Sequence, residues 1–346
     1  MGLHSEIHEQ PEVIRRLLTG RRQQVEAAAE LIRRQVVHYA FLAARGTSDN
    51  AGRYAGYLWG ANNHLTVALA LPSLFTFYQT PPNLSNALAI GISQSGQSPD
   101  IVSVLQEARR QGCPAIAITN KTASPLAEAA NLVIDLMAGE EKAVAATKTY
   151  TAQLMAVAML SAALDASHPE RWDELECLPG WMEAALKLDE SLATLAQRYR
   201  YMEQCVVIGR GFNYANAFEW SLKLKELTYT IADPYSSADF LHGPLALVHQ
   251  GFPVFAIAPS GCVLATVREL LEKLRTQFNA ELVVISDDPS VLELAQTPIP
   301  LPAGIPEWLS PLVSILPAQL FAYHLTRARG FSTEAPRSIH KVTETS

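Results

Sequence analysis

A cluster of hydroxyl and amide side chains separates the apolar run 87–92 from a sequence that begins a helix. The cluster contains Ser93, Gln94, Ser95 and Ser98. Ser98 stands at the N-cap position and Pro99 at the first helical position. Backbone N–H groups and the helix dipole favour an anion at such a point. The pattern therefore favours a phosphate site, although an ordinary strand–loop–helix turn has a similar composition.

A second group of polar side chains falls on one stripe of a helix expected from Tyr214 to about Ile231. The stripe contains Glu219, Lys223, Glu226 and Thr230, spaced i, i+4, i+7 and i+11. Apolar residues flank the stripe on both sides. Two interpretations remain: a solvated ridge of ion pairs, which is the commoner outcome, or a glutamate and a lysine that line a cleft and transfer protons.

Two further residues have side chains suited to chemistry. His242 precedes Gly243-Pro244, which indicates a fixed turn that presents the imidazole. Lys341 lies in a polar C-terminal tail between Ile339 and Val342. Polar tails are usually frayed, but these apolar neighbours would allow this one to dock.

The composition limits the class of protein that positions these groups. A chain of 346 residues, 49% hydrophobic and 18% charged, is expected to fold into two domains with large cores. The net charge of −7 argues against nucleic acid as the main partner. No apolar run reaches the ~18 residues of a membrane span, and the first ten residues lack the layout of a signal peptide. The four cysteines show no metal-ligand or redox spacing, so we expect a cytoplasmic protein.

Strands and helices alternate along the chain in an order that occurs twice. We expect strands at 37–44, 66–70, 87–92, 115–119 and 132–136, and again at 205–208, 254–258 and 282–286. The sequence Ala256-Ile257-Ala258-Pro259-Ser260-Gly261 resembles residues 90–96, which contain the end of the apolar run and the start of the serine cluster. This order predicts an α/β fold with two parallel sheets covered on both faces. The expected division is a helical segment at 1–36, a first domain at 37–166, a helical connector at 167–195, a second domain at 196–330 and a tail at 331–346.

A possible dinucleotide motif at Gly209-Arg210-Gly211 is incomplete. Tyr214 stands where the third glycine of the fingerprint belongs. The sequence therefore gives little support for a nicotinamide cofactor.

Taken together, these pieces resemble the double SIS (sugar isomerase) domain family. The matching segments are Gly46-Thr47-Ser48, Ser93-Gln94-Ser95-Gly96, Ala145-Ala146-Thr147-Lys148, Leu222-Lys223-Leu224-Lys225-Glu226, His242-Gly243-Pro244 and Pro336-Arg337 through Lys341. They span nearly the whole chain in order. The resemblance is to the isomerase half of glucosamine-6-phosphate synthase, and it implies two tandem flavodoxin-like or Rossmann-like three-layer α/β/α domains.

The resemblance also implies a role for each candidate residue. Ser93, Gln94, Ser95 and Ser98 would hold a sugar phosphate, with Ser48, Val144 and Ala146 lining the sugar site. Glu226 would move a proton between two sugar carbons, with Lys223 close by. His242 would open the sugar ring, often from a neighbouring subunit, which implies a homodimer. Lys341 is the counterpart of the lysine that forms a Schiff base in the synthase.

Departures from the synthase favour a different reaction. Residue 2 is Gly and the first cysteine is Cys113, so no N-terminal cysteine nucleophile for glutamine is expected. Ala146 replaces a serine, and Leu241 replaces a lysine before the His-Gly-Pro motif. The stretch 139–148 is closer to the stand-alone SIS-type glucosamine-6-phosphate deaminase.

The expected activity is therefore conversion of glucosamine 6-phosphate to fructose 6-phosphate and ammonia, without metal or organic cofactor. The expected ligand is an aminosugar or ketose phosphate. Alternatives are another phosphosugar isomerase or deglycase of the family, amination of fructose 6-phosphate without glutamine, and a non-catalytic phosphosugar sensor.

Overall fold

The computed structural model describes residues 2–339 and Lys341, and these fall into two compact units. The first unit contains Glu12–Glu141, Lys148–Cys177 and Lys341. The second contains the described part of Met1–Pro11, together with Lys142–Thr147 and Leu178–Ile339. The predicted docking residue Val342 lies outside the described residues. The domain boundaries expected from the sequence stay a prediction.

The first unit holds a parallel five-stranded sheet in the order β2-β1-β3-β4-β5. Its strands are β1 Tyr39–Ala43, β2 Thr66–Leu69, β3 Ala87–Ser93, β4 Ala115–Thr119 and β5 Leu132–Asp135. The helices that lie wholly or partly in this unit are α2 Gln10–Arg33, α3 Thr47–Asn63, α4 Ser73–Thr76, α5 Pro99–Arg110, α6 Pro125–Glu128, α7 Lys148–Leu164 and α8 Glu170–Leu186. All seven residues of β3 are buried, as expected for a central strand covered by helices on both faces.

The second unit repeats this arrangement in the order β10-β9-β8-β6-β7, again with all strands parallel. Its strands are β6 Gln204–Gly209, β7 Ile231–Ser236, β8 Pro253–Ile257, β9 Glu281–Ser286 and β10 Thr297–Pro300. Its α-helices are α1 Leu3–His8, α9 Asp189–Gln197, α10 Tyr214–Lys223, α11 Ser237–Leu241, α12 Leu264–Phe278, α13 Pro289–Leu292 and α14 Ser310–Ala328. Short 3₁₀ helices occupy Gly211–Asn213, Pro244–Leu247 and Glu307–Leu309. The predicted α/β fold with two parallel sheets is therefore confirmed.

Two strands and one helix end differ from the expectation. Strands β7 and β10 were not expected; both lie at sheet edges and contain proline, which removes a backbone donor. The helix expected to reach Ile231 ends earlier. A π-helical turn, Leu224–Thr228, follows α10, and Ile231 already begins β7.

Within the described residues, no helix is long and apolar enough to cross a membrane. The cysteines within that range are all free, and Cys113 and Cys205 are buried.

Candidate active site

The serine cluster forms a compact loop between β3 and α5. The Ser93 hydroxyl accepts a hydrogen bond from the Gly96 amide at 3.1 Å, and Ser95 accepts one from the Gln97 amide at 3.3 Å. Each hydroxyl keeps its own proton to donate to a ligand. Ser98 holds the N-cap position of α5, but its side chain makes no capping bond, so its hydroxyl is not used by the helix.

The tightness of this loop depends on Gly96. Its φ is +64°, and a Cβ atom there would lie 2.2 Å from Ser124 Oγ. Any other residue would strain the backbone and push the loop away from its neighbour. The loop is therefore fixed before any ligand arrives.

Ser48 stands at the same edge of the sheet, in the first turn of α3. Strands β1 and β3 are parallel neighbours. The strand that follows β1 in sequence, β2, lies on one side of this pair, and the strand that follows β3, β4, lies on the other side. This is the switch point at which open α/β sheets bind ligands. Ser48 is 8% exposed, and its hydroxyl accepts from Gln153 Nε2 at 2.9 Å.

Arg45 was not singled out by the sequence, yet it lies beside this loop. Its Nε donates to Asp100 Oδ2 at 2.7 Å, and Asp100 is buried in the first turn of α5. The Arg45 side chain is otherwise half exposed. The pair places a guanidinium close to the start of the helix that the serine loop feeds, where it adds positive charge for a phosphate.

The corresponding loop of the second unit is already occupied by carboxylates. The Ser260 amide donates to Asp287 Oδ1 at 2.7 Å, and the Cys262 amide donates to Glu307 Oε2 at 2.8 Å. A Cβ on Gly261 would lie 2.1 Å from Glu307 Cδ. The sequence similarity between the two loops therefore does not extend to the availability of their amides.

Lys223 of α10 bridges two carboxylates in the second unit. Its Nζ lies 2.6 Å from Glu226 Oε2 and 3.3 Å from Glu219 Oε1. Burial alone would lower the pKa of Lys223, but the charges and hydrogen bonds of Glu219 and Glu226 raise it well above its usual range. The lysine is therefore an ammonium at neutral pH.

The interpretation of this stripe as a solvated ridge is wrong. The side chains of Lys223 and Glu219 are 1% and 0% exposed, whereas Glu226 is 24% exposed. Glu226 alone of the three thus combines a charged partner with access to solvent. Thr230, expected on the same helical stripe, follows the helix and is buried.

The π-helical turn sets the position of Glu226. Glu226 lies within the turn, Leu224–Thr228, and the turn ends at Tyr229, which adopts the left-handed conformation at φ 57°. Single π turns inside helices occur frequently at functional sites. Here the wider turn changes the direction of Glu226 relative to a regular α-helix, while Lys223 still reaches its carboxylate.

His242 lies in an exposed turn of the second unit. Ser236 caps α11 by accepting from the Asp239 amide, and the His242 amide donates to the Asp239 carbonyl at 3.0 Å. Gly243 follows with φ 133°. The turn is ordered by these bonds, while the imidazole itself is exposed, which agrees with the predicted presentation.

The two predicted sugar-lining residues, Val144 and Ala146, lie half-buried in the segment 142–147 of the second unit. Buried Glu6 of α1 holds the start of this segment. Its carboxylate accepts from the amides of Lys142 and Ala143. Glu6 was not expected from the sequence, because nothing in its local pattern indicates two distant amides as partners.

Lys341 is held in the first unit by Glu141. The Lys341 ammonium donates to Glu141 Oε2 at 2.7 Å, and Glu141 also accepts from the hydroxyl and the amide of Thr149. Glu141 is fully buried at its side chain. A specific ion pair thus holds Lys341 in place.

The structure thus groups the candidate residues into two sets. Within the first unit lie Ser48, Ser93, Gln94, Ser95, Ser98 and Lys341. Within the second lie Val144, Ala146, Lys223, Glu226 and His242. The roles assigned to these residues remain predictions.

Comparison with known protein families gives the duplicated domain its name. The model of the SIS domain matches residues 36–163 and again 200–328. The chain belongs to the SIS-domain family. The two matches coincide with the two parallel sheets, so each sheet is the core of one SIS domain.

Several relatives align with nearly the whole length of this chain. The glutamine–fructose-6-phosphate aminotransferase (isomerizing) of Methanothermobacter thermautotrophicus is 36% identical over 337 residues, which cover 97% of this chain and 56% of the relative. The chain thus spans about half the length of the curated relatives it matches.

Two solved structures share the fold. The C-terminal domain of glucosamine-fructose-6-phosphate aminotransferase from Francisella tularensis has a TM-score of 0.85 and 27% identity, covering 96% of this chain and 98% of that one. Glucosamine-6-phosphate deaminase from Thermotoga maritima has a TM-score of 0.72, covering 96% of this chain and all of that one. At 20% identity, the second likeness shows the fold alone.

Proposed function

We propose that this protein is a phosphosugar isomerase that converts glucosamine 6-phosphate and water to fructose 6-phosphate and ammonia. The observation that carries the proposal is the setting of Glu226. Its carboxylate is partly exposed in a π turn and is held by the buried ammonium of Lys223. A fixed carboxylate with solvent access is the group that a proton transfer between adjacent sugar carbons requires.

The serine loop anchors the substrate in this proposal. Its hydroxyls, the N-terminus of α5 and Arg45 all favour a dianionic phosphate. Anchoring the phosphate restricts the freedom of the bound sugar, so part of the entropic cost of the reaction is met by binding. His242 then assists opening of the sugar ring to the free aldehyde.

The proton transfer begins from the open-chain aminoaldehyde. Glu226 removes the proton from C2, and the C1 oxygen takes a proton, which gives a 1,2-enolamine. The proton on Glu226 exchanges with solvent, and Glu226 then protonates C1, leaving an imine at C2. Water adds to this imine and ammonia leaves, so the products are fructose 6-phosphate and ammonia. The route transfers no electrons to an acceptor and needs no redox cofactor.

Lys223 positions Glu226 and neutralises part of its charge. Buried Glu219 balances the lysine from the other side. The pair of carboxylates around one ammonium keeps the lysine protonated, so it acts as a fixed cation and leaves the proton transfer to Glu226.

The aminating direction is the second candidate. The relative from Methanothermobacter thermautotrophicus is named as an aminotransferase that uses glutamine and fructose 6-phosphate, and it matches 97% of this chain. In that direction the same proton transfer runs in reverse. Ala146 and Leu241 depart from the synthase pattern and favour the deaminating direction.

We also propose a homodimer, with His242 close to the contact surface. Two large apolar side chains near exposed His242 in sequence, Leu241 and Leu247, are 48% and 50% exposed. Light scattering after size-exclusion chromatography gives the mass of the assembly, and a monomeric mass at assay concentration would contradict this part of the proposal.

The test follows both products from glucosamine 6-phosphate. Purified protein in buffered D₂O, without added cofactor, is expected to release ammonia and fructose 6-phosphate in equal amounts, with deuterium at C1 of the ketose. Glucosamine without phosphate and glucose 6-phosphate are the substrate controls. Fructose 6-phosphate with ammonium, and separately with glutamine, tests the aminating direction.

The outcomes separate the candidates. Formation of glucosamine 6-phosphate from glutamine, with no deamination, would support the second candidate instead. Binding of sugar phosphate with no turnover or solvent exchange in any assay would contradict both reactions and indicate a sensor. Turnover of another ketose or aldose phosphate alone would keep the isomerase class and reject this substrate.

A further inference from the structure

Three histidines converge on one aspartate in the second unit. His4 Nε2 and His8 Nε2 lie 2.7 Å and 3.0 Å from Asp189 Oδ2, and His324 Nε2 lies 2.6 Å from Asp189 Oδ1. We propose that His4, His8 and Asp189 form a binding site for a divalent transition-metal ion of the zinc class, with His324 holding the other carboxylate oxygen of Asp189. The proposed reaction makes no use of this cluster.

The elements that carry the cluster explain the convergence. His4 and His8 stand four residues apart on α1, so they share one face of the helix. Asp189 is the first residue of α9, and His324 lies on α14. Two histidines at i and i+4 on a helix are a common zinc-ligand pair; α9 supplies the third ligand here, and His324 of α14 contacts its other oxygen.

The distances are close to those that a metal requires. The ligand atoms of His4, His8 and Asp189 all lie within 4.8 Å of one another. A tetrahedral zinc site holds its nitrogen and oxygen ligands at ~2.0–2.2 Å, which places the ligands roughly 3.3 Å apart. The imidazoles therefore need to withdraw from Asp189 by a few tenths of an ångström. His4 and His8 have the freedom to do so, because their side chains are 41% and 38% exposed.

The chemistry of the donors fits a transition metal better than calcium or magnesium. Two imidazole nitrogens with one carboxylate suit Zn²⁺ and its neighbours, whereas Ca²⁺ and Mg²⁺ prefer oxygen ligands.

Three protein ligands would leave one position of the tetrahedron to water. The ion would fasten α1 to α9. The same short helix carries Glu6, whose carboxylate holds the amides of Lys142 and Ala143 at the start of the segment that contains Val144. The metal would therefore also order one wall of the proposed sugar site.

The first experiment measures zinc affinity in untagged, chelator-stripped protein by competition with a chromophoric chelator. We expect one Zn²⁺ per chain in this site. His8→Ala and His4→Ala are each expected to weaken binding about 100-fold, because each removes one of three protein ligands. His168→Ala is the matched control, because His168 contacts a single aspartate, Asp165, at 2.8 Å. Its affinity should equal that of the unchanged protein.

Two readouts are independent of affinity. Co²⁺ should give the visible spectrum of a four-coordinate site with nitrogen and oxygen ligands, and His8→Ala should remove it. Zn²⁺ should raise the midpoint of thermal unfolding for the unchanged protein and for His168→Ala but not for His8→Ala. Circular dichroism in chelator verifies that the variants fold.

Equal zinc affinity in the unchanged protein and in both His4→Ala and His8→Ala would overturn the proposal. Failure of the unchanged protein to bind Zn²⁺ would do the same. Amide hydrogen exchange tests the link to the sugar site: Zn²⁺ should slow exchange at Lys142 and Ala143, and an unchanged rate would refute that link.

Discussion

The Nζ atom of Lys223 lies between Glu226 Oε2, at 2.6 Å, and Glu219 Oε1, at 3.3 Å, and the two carboxylates differ sharply in exposure. Glu219 is fully buried, whereas Glu226 is 24% exposed. Only one of the two acids can therefore exchange protons with a ligand. The other keeps the lysine charged.

Replacing the exposed acid tests the proposed chemistry. Glu226→Gln is expected to lower kcat by ~10²–10⁴-fold, because the amide cannot accept the C2 proton. The KM for glucosamine 6-phosphate should change little, since the phosphate is held elsewhere. The measurement is steady-state release of fructose 6-phosphate. Lys225→Gln, an exposed neighbour in the same turn, is the control and should retain the activity of the unchanged protein. Full turnover by Glu226→Gln would reject the assigned role.

The buried lysine makes a large contribution to stability. Lys223→Met leaves Glu219 and Glu226 without their shared cation, and we expect a loss of about 3–5 kcal/mol in the free energy of unfolding. Lys225→Met removes an exposed lysine and should change it by no more than about 0.5 kcal/mol. Urea denaturation followed by circular dichroism provides both values. Similar losses in the two variants would contradict the buried arrangement.

The pH dependence of that contribution has a definite sign. The folded-state pKa of Lys223 is raised, so its contribution is fully present below the unfolded value of ~10.4 and is lost only as pH rises through the folded pKa. The difference in unfolding free energy between the unchanged protein and Lys223→Met should therefore be the same at pH 7 and pH 9. A difference that shrinks between these pH values would indicate a lysine that is not held by two carboxylates.

The serine loop should affect binding more than chemistry. Ser95→Ala removes one hydroxyl from the proposed phosphate site, and the loss of a charge-assisted hydrogen bond of ~1.5–3 kcal/mol should raise KM roughly 10–100-fold. Ser260→Ala changes the corresponding serine of the second SIS domain and should leave KM unaltered, because that loop is occupied by Asp287 and Glu307. Equal effects of the two variants on KM would show that the loops do not differ in this way.

The ion pair of Lys341 predicts the result of a trapping experiment. An amine that attacks a ketone must give up its proton and its contact with Glu141, which is 2.7 Å away. Borohydride with fructose 6-phosphate should therefore trap no adduct on Lys341 in the unchanged protein. Mass spectrometry of a protease digest, with Lys341→Arg as the control, provides the answer. An adduct at Lys341 would instead favour the aminating direction.

Much of the fold follows from the sequence because the central strands are continuous apolar runs. Strand β4 matches its expected bounds, and β3 extends them by one residue. The missed strands β7 and β10 contain Pro234, Pro298 and Pro300. Proline lowers the expectation of a strand, yet at a sheet edge the missing donor costs nothing.

The site was harder to predict because its contacts join residues distant in sequence. Periodicity placed Glu219, Lys223 and Glu226 on one stripe, but burial depends on the sheet beneath them, so the stripe resembled a solvated ridge. No pattern in the local sequence indicated the π turn, and the end of the helix before Tyr229 was not expected. The pairs Arg45–Asp100 and Lys341–Glu141 are separated by 55 and 200 residues, a range that no local pattern covers.

The loop of the second SIS domain contains its own substitute for a phosphate. The carboxylates of Asp287 and Glu307 are tethered to the chain that they bind, so their effective concentration at the Ser260 and Cys262 amides is on the order of millimolar or higher. A dissolved anion at lower concentration competes poorly with them. The two SIS domains therefore share a fold but differ in their capacity to bind an anion at this loop. Titration with a sugar phosphate should saturate at one molecule per chain.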